Sequence, residues 1–131
     1  MGVRYPSVFS TTFVGPWPAN ATETIICTLP PLILPIDGAT VFIHWWDTLT
    51  YGTGTTAINY RIRRGTNTSG QIVGVAAAAR TVVAGNTDIV YGCYFDVPGA
   101  VTAQQYILTG VQTGATAGAV NNDICMFAYA L

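Results

Sequence analysis

Residues that favour turns recur at short intervals along the whole chain, and this rhythm restricts the fold more than any other feature. The chain has 14 Gly and 7 Pro in 131 residues. Clusters such as Gly15-Pro16-Trp17-Pro18, Gly52-Thr53-Gly54 and Pro98-Gly99 separate short segments rich in Thr, Val, Ile and aromatic residues, which favour strands over helices. The rhythm therefore predicts an all-β fold built from short strands.

Eight such segments indicate an antiparallel eight-stranded jelly-roll sandwich in a single domain, residues 1–131. Most segments read as strands alone, but Ala76–Arg80 leaves a helical turn open as an alternative. The predicted strands lie within Val8–Val14, Glu23–Leu29, Ala39–Tyr51, Thr55–Arg64, Gly70–Gly85, Asp88–Val97, Gln104–Gln112 and Asn121–Leu131.

Two regions carry the clearest local predictions. Ala39–Tyr51 and Thr55–Arg64 both alternate along the chain, and Gly52-Thr53-Gly54 between them predicts a β-hairpin. The last segment, Asn121–Leu131, is largely apolar, and a strand that loses its alternation is typically buried on both faces. We expect a second sheet on one side of it and a neighbouring subunit on the other. The candidate interface residues in this segment are Ile124, Met126, Phe127, Tyr129 and Leu131.

Charge is scarce: 8% of the residues are charged, there is no Lys, and the net charge is -1. An average soluble protein has roughly 25% charged residues. This composition excludes disorder and a coiled coil, and it does not favour nucleic acid or an anionic membrane as a partner. A monomer normally keeps a charged surface. We therefore expect copies of the chain, or a partner, to cover much of the outside.

The only cluster of charge is arginine-rich. Arg61 and Arg63 share one face of a predicted strand, and Arg64 follows at the turn. Two interpretations stay open: ion pairs with carboxylates of a neighbouring subunit, or an exposed polar face that protects a strand edge.

No group of residues indicates catalysis or metal binding. The single histidine, His44, is not accompanied by a sequence motif such as G-x-S-x-G that would supply a catalytic nucleophile. It is therefore interpreted as a core or interface residue. The acids are scattered and the three cysteines have no zinc spacing, so we expect no metal and no cofactor. Cys27, Cys93 and Cys125 are predicted to be reduced, buried small hydrophobes.

Aromatic residues beside acids leave a binding function open. Asp47 and Asp96 adjoin aromatic residues but form only a weak glycosidase pattern. A glycan platform formed by Trp45, Trp46 and Tyr51 is the corresponding binding hypothesis.

The first 36 residues are rich in proline in their second half and are a candidate arm that contacts neighbouring subunits. The start of the chain lacks the apolar stretch of a signal peptide. The most apolar run, Leu29–Ile36, is interrupted by prolines and is too short for a membrane span. We therefore expect the protein to fold where it is made, without membrane insertion.

Residues 39–131 resemble small bacteriophage-type virion proteins in three blocks, INYRIRRGTNTSG, YGCYFDVPG and QQYILTGVQTGATAGAV. The ending MFAYAL is similar to the terminal strand of trimeric, tumour-necrosis-factor-like heads. The resemblance implies a single jelly roll, a homotrimer and no catalytic residues. It implies a cement, decoration or spike subunit that binds the major capsid protein or other virion proteins, in a virion assembled in the host cytoplasm. The alternative is a carbohydrate- or receptor-binding head on the same fold.

Overall fold

The computed structural model describes residues 6–13, 17–18, 22–77, 85–99, 102–114 and 118–131. Within these ranges the chain forms ten strands and no helix, so the predicted all-β class is confirmed. The strands are β1 (Ser7–Ser10), β2 (Thr24–Thr28), β3 (Leu32–Ile33), β4 (Val41–Thr50), β5 (Ala57–Arg64), β6 (Gln71–Ala77), β7 (Thr87–Asp96), β8 (Ala103–Gln104), β9 (Tyr106–Thr113) and β10 (Val120–Ala130).

The eight longer strands form two antiparallel sheets of four. We call them sheet one, in the order β1-β10-β4-β7, and sheet two, in the order β2-β9-β5-β6. The two shortest strands, β3 and β8, pair with each other. Consecutive strands are therefore often in different sheets, and the chain crosses repeatedly between them.

The two sheets pack face to face on one apolar core, in a sandwich-like arrangement. In β4 the side chains alternate as predicted, and Val41, Ile43 and Trp45 are buried in this core. The ring of Trp45 lies 4.7 Å from that of Tyr60, which belongs to β5 in sheet two. Inward-facing side chains of both sheets thus exclude water from a shared interior.

The predicted hairpin of β4 and β5 is wrong. β4 pairs with β10 and β7, whereas β5 pairs with β6 and β9. The turn at Gly52-Thr53-Gly54 carries the chain from one sheet to the other, and the Thr55 hydroxyl donates to the Gly52 carbonyl at 2.9 Å. Two strands with one apolar face each can bury those faces across a core as well as side by side, so alternation did not distinguish the two arrangements.

The C-terminal strand β10 lies in the middle of sheet one, between β1 and β4. Ile124, Met126, Ala128 and Ala130 face the core and are fully buried. On its other face Phe127 is 38% exposed within the chain, so one face is covered by this fold and the other is open.

The ambiguous segment 70–85 begins as strand β6, and residues 78–84 lie outside the described part of the chain. In the proline-containing segment 1–36, the described residues supply β1, β2 and β3. These pair with β10, β9 and β8 of the same chain.

Candidate interaction surface

The outer face of sheet one carries an unusual concentration of aromatic side chains. Strand alternation places every second residue of four adjacent strands on this face, opposite the core. We call it the aromatic face, and its members are Phe9, Phe42, His44, Trp46, Tyr91, Cys93, Phe95, Cys125, Phe127 and Tyr129.

The strand register aligns these side chains in rows across the sheet. One row consists of Phe9, Phe127, His44 and Cys93 on four neighbouring strands. Within it the His44 and Phe127 rings are nearly parallel, with their centroids 4.7 Å apart. Such stacked cross-strand pairs stabilise a sheet and hold their rings in fixed orientations.

The next row contains Tyr129, Phe42 and Phe95. The Phe42 and Tyr129 rings stack with centroids 5.2 Å apart. Phe95 is at the end of the row, on the outermost strand β7, and is 70% exposed. The third row pairs Trp46 with Tyr91, which is 76% exposed.

In the described part of the chain, the middle of the aromatic face carries no Asp, Glu, Lys or Arg. Asp47, in β4, points into the core instead. Asp88 and Asp96 lie near the two ends of β7, and Asp123 lies near the start of β10. The described surface between them is apolar or uncharged.

The structure separates the predicted interface residues of β10. Ile124 and Met126 are part of the core of the chain itself. Phe127 and Tyr129 are on the aromatic face, and Leu131 is 45% exposed at the end of the chain. Phe127, Tyr129 and Leu131 therefore remain the candidate interface residues of the C-terminal segment.

The three residues of the predicted glycan platform do not share a surface. Trp45 and Tyr51 are buried in the core. Trp46 alone reaches the outside, and its exposed neighbour is Tyr91. The alternation of β4 separates the two tryptophans because adjacent residues of a strand point to opposite faces.

Arg61 and Arg63 form ion pairs within the chain. Their common partner is Glu23, just before β2: its Oε1 accepts from Arg63 Nε at 2.6 Å, and its Oε2 accepts from Arg61 Nη1 at 2.7 Å. Thr109 Oγ1 also donates to Oε1 at 2.6 Å. The hydrogen bond from Arg63 is the largest influence on the pKa of Glu23, which is lowered to about 2. These contacts tie β2, β5 and β9 of sheet two together.

A second polar cluster lies inside the core, around Asp47. Asp47 Oδ2 accepts hydrogen bonds from Tyr60 Oη at 2.7 Å and from Asn121 Nδ2 at 2.5 Å. Asn121 Oδ1 in turn accepts from Trp17 Nε1 at 2.5 Å. Burial raises the pKa of Asp47, while the bonds from Asn121 and Tyr60 oppose that shift. This cluster is enclosed and connects the two sheets, so we assign it to stability.

The histidine and cysteines have different surroundings from one another. His44 lies on the aromatic face, where its Nε2 is 3.7 Å from Cys93 Sγ. The prediction that all three cysteines are buried is wrong: Cys27 is buried, Cys125 is half-buried, and Cys93 is exposed. All three are free thiols. Cys93 is exposed because it lies on the outer face of sheet one, opposite the core.

The described residues contain no group of three or more His, Cys, Asp or Glu side chains placed to hold a metal ion. They also contain no helix with the length and apolarity of a membrane span.

Comparison with known proteins shows what this fold is similar to. No protein-family model and no curated protein matches the chain. Among solved structures, the VP2 subviral particle of infectious bursal disease virus is similar with a TM-score of 0.65 and 10% identity, over 98% of this chain and 33% of that one. The structure of the Gx strain of the same virus has a TM-score of 0.60 and 12% identity, over the same shares of the two chains.

These structural neighbours are viral capsid proteins with a β-rich fold. The chain spans about a third of their length. At such low identity the likeness concerns the fold, and function has to be argued from the surface.

Proposed function

We propose that the chain is a non-enzymatic structural protein of a virion. In this proposal it is a cement, decoration or spike subunit that assembles with copies of itself, as a trimer, and stabilises a capsid. The observation that carries the proposal is the aromatic face: a rigid, uncharged surface on a fold similar to that of viral capsid proteins. Large exposed apolar surfaces mark sites of protein–protein interaction.

The strand order supports a jelly roll in particular. With the two-residue strands β3 and β8 set aside, eight strands remain in two sheets of four. Sheet one combines the first, last, third and sixth of these eight, and sheet two the second, seventh, fourth and fifth. Two four-stranded sheets linked by repeated crossings are the arrangement of the jelly rolls found in capsid and lectin domains.

The remaining parts of the proposal concern partners and location. The predicted partners are sister chains and the major capsid protein or another virion protein, in a bacteriophage-type particle assembled in the host cytoplasm. The Glu23 and Asp47 clusters hold two of the described carboxylates in contacts that stabilise the fold. We assign the chain no catalytic role.

Self-assembly is tested by measuring the mass in solution with light scattering across a dilution series. The expected result is a species of about 42 kDa, three times the chain mass of 13.9 kDa, that persists to low concentration. A chain that stays at the mass of a monomer at every concentration would contradict self-assembly.

A second candidate function, glycan binding, is favoured by the pair Trp46 and Tyr91. These exposed rings are directly opposite in the register of β4 and β7, and aromatic faces suit stacking on sugars. In that case, glycans should quench tryptophan fluorescence saturably in the wild type and not in Trp46→Ala. Quenching that is unchanged in Trp46→Ala would remove this candidate.

A further inference from the structure

We infer that a second copy of this chain covers the aromatic face when the protein assembles, with Tyr91 and Phe95 of β7 in the contact. The inference rests on the proposed function, because it names the partner surface of the same assembly. It also identifies a larger contact than the C-terminal strand alone, since strands β1, β4 and β7 contribute to it.

The exposed area of the aromatic face is at the upper end of the apolar patches of ordinary monomers and approaches what a stable contact needs. Five of its rings are exposed by 37% to 76%, which leaves roughly 600 Å² open at about 150–250 Å² per aromatic side chain. The half-buried Phe42, His44 and Tyr129 add to this area. A typical specific interface buries about 800 Å² on each partner, whereas the largest apolar patch of an ordinary monomer is about 300–600 Å².

The charge of the aromatic face favours a copy of the same chain over other partners. Nucleic acid or an anionic surface would require cations, but Arg61 and Arg63 lie on sheet two, where Glu23 pairs with both. A strongly charged protein partner would leave its charges desolvated and unpaired on this face. Another copy of this chain has few charges on any of its surfaces, with 8% charged residues overall, so it can cover this face without burying unpaired charges.

Outside sheet one, the exposed large apolar residues of the described chain are spread over different elements. Ile33 is 70% exposed but lies on the small β3–β8 sheet, and Ile72 and Val75 lie on β6 of sheet two. Single exposed apolar residues of this kind are normal on monomers. They provide matched controls for the aromatic face.

The first test compares Tyr91→Glu and Phe95→Glu with Ile33→Glu. Phe95 and Ile33 are equally exposed, at 70%. The two substitutions therefore introduce the same charge at equally exposed positions on two different surfaces. We expect Tyr91→Glu and Phe95→Glu to raise the dissociation constant of the assembly by at least about 100-fold, because each would bury an unpaired charge in the contact. Ile33→Glu should leave it within about threefold of the wild type, as expected for a residue outside the contact.

The second test uses the natural thiols and needs no substitution. A maleimide is applied above and below the concentration at which the assembly dissociates, and the modified cysteines are identified by mass spectrometry. Cys93 is exposed in the single chain, so we expect it to react at least about tenfold more slowly in the assembly, where the second copy restricts access. Cys27 is buried in the chain itself and should stay unreactive in both conditions.

The outcomes separate the inference from the proposed function. If the wild type assembles but Tyr91→Glu assembles equally well and Cys93 reacts equally fast in both states, the inference is overturned and self-assembly stands. If the wild type is monomeric at every concentration, self-assembly itself fails. Circular dichroism and thermal unfolding show whether each variant folds. If the glutamate variants do not fold, the reactivity of Cys93 in the wild type tests the inference by itself.

Discussion

Replacing Asn121 with leucine is expected to lower the free energy of unfolding by about 3–4 kcal/mol at neutral pH. Leucine has the same number of side-chain heavy atoms as asparagine, but it leaves the Trp17 indole N–H without its acceptor and takes one donor from Asp47. Each buried polar group that loses its partner costs about 1–3 kcal/mol. Urea unfolding followed by tryptophan fluorescence measures the loss.

The penalty of this substitution depends on pH through Asp47. Burial places the pKa of Asp47 above its ordinary value of 3.8. A carboxyl with a raised pKa in the folded state contributes stability that is fully present below pH 3.8 and is lost as pH rises through the folded pKa. Asn121 is one of the donors that stabilise the charged form, so its removal costs more at neutral pH than in acid.

The control for this effect is Asp47→Asn, which removes the titrating group and keeps an oxygen to accept from Tyr60 and Asn121. The difference in unfolding free energy between wild type and Asp47→Asn should shift in favour of the variant as pH rises. A difference that is constant with pH would show that the Asp47 carboxyl is not desolvated in the folded protein.

Local alternation predicted which side chains share a face of a strand, but neither which face is buried nor how the strands pair. In β4 it placed Val41, Ile43 and Trp45 together on one face, which is the buried one. It could not reveal that β4 and β5 belong to different sheets, because the same periodicity serves both arrangements. Sheet membership depends on contacts between strands distant in the sequence, and a single sequence does not display them.

The aromatic face was predicted only in part, for a related reason. Phe127 and Tyr129 stand out in an apolar C-terminal strand, whereas Tyr91 and Phe95 belong to a strand with apolar residues on both faces. In β7 the inward residues Val90 and Tyr94 do not contrast with the outward ones, so hydrophobicity does not show which face is exposed. The register with β4 is what joins these residues to one surface.

The partner of the arginine cluster was not predicted at all. Glu23 and Arg63 are 40 residues apart and meet because β9 lies between β2 and β5 in sheet two. The notable sequence feature was an acid at the start of a predicted strand in a chain with few acids. Such an acid has many potential partners until the strand order is known.

Replacing Glu23 with glutamine is expected to lower the free energy of unfolding by about 2–3 kcal/mol at neutral pH, with the loss confined to conditions in which Glu23 is ionised. The substitution keeps the shape of the side chain but removes the charge that pairs with Arg61 and Arg63. The pKa of Glu23 is lowered from 4.5 to about 2, and linkage converts a difference of this size into about 3 kcal/mol before screening by solvent is considered.

The sign of the pH dependence is opposite to that of Asp47 and makes the Glu23 prediction specific. A carboxyl with a lowered pKa contributes stability that is present above pH 4.5 and is lost as pH falls towards 2. Wild type and Glu23→Gln should therefore converge in stability across this interval. If the gap between wild type and Glu23→Gln stays constant down to pH 2, the contribution of Glu23 comes from packing and neutral hydrogen bonds. In that case Arg63, 8% exposed and also donating to the Gly70 carbonyl at 2.6 Å, would be stabilised without the charge of Glu23.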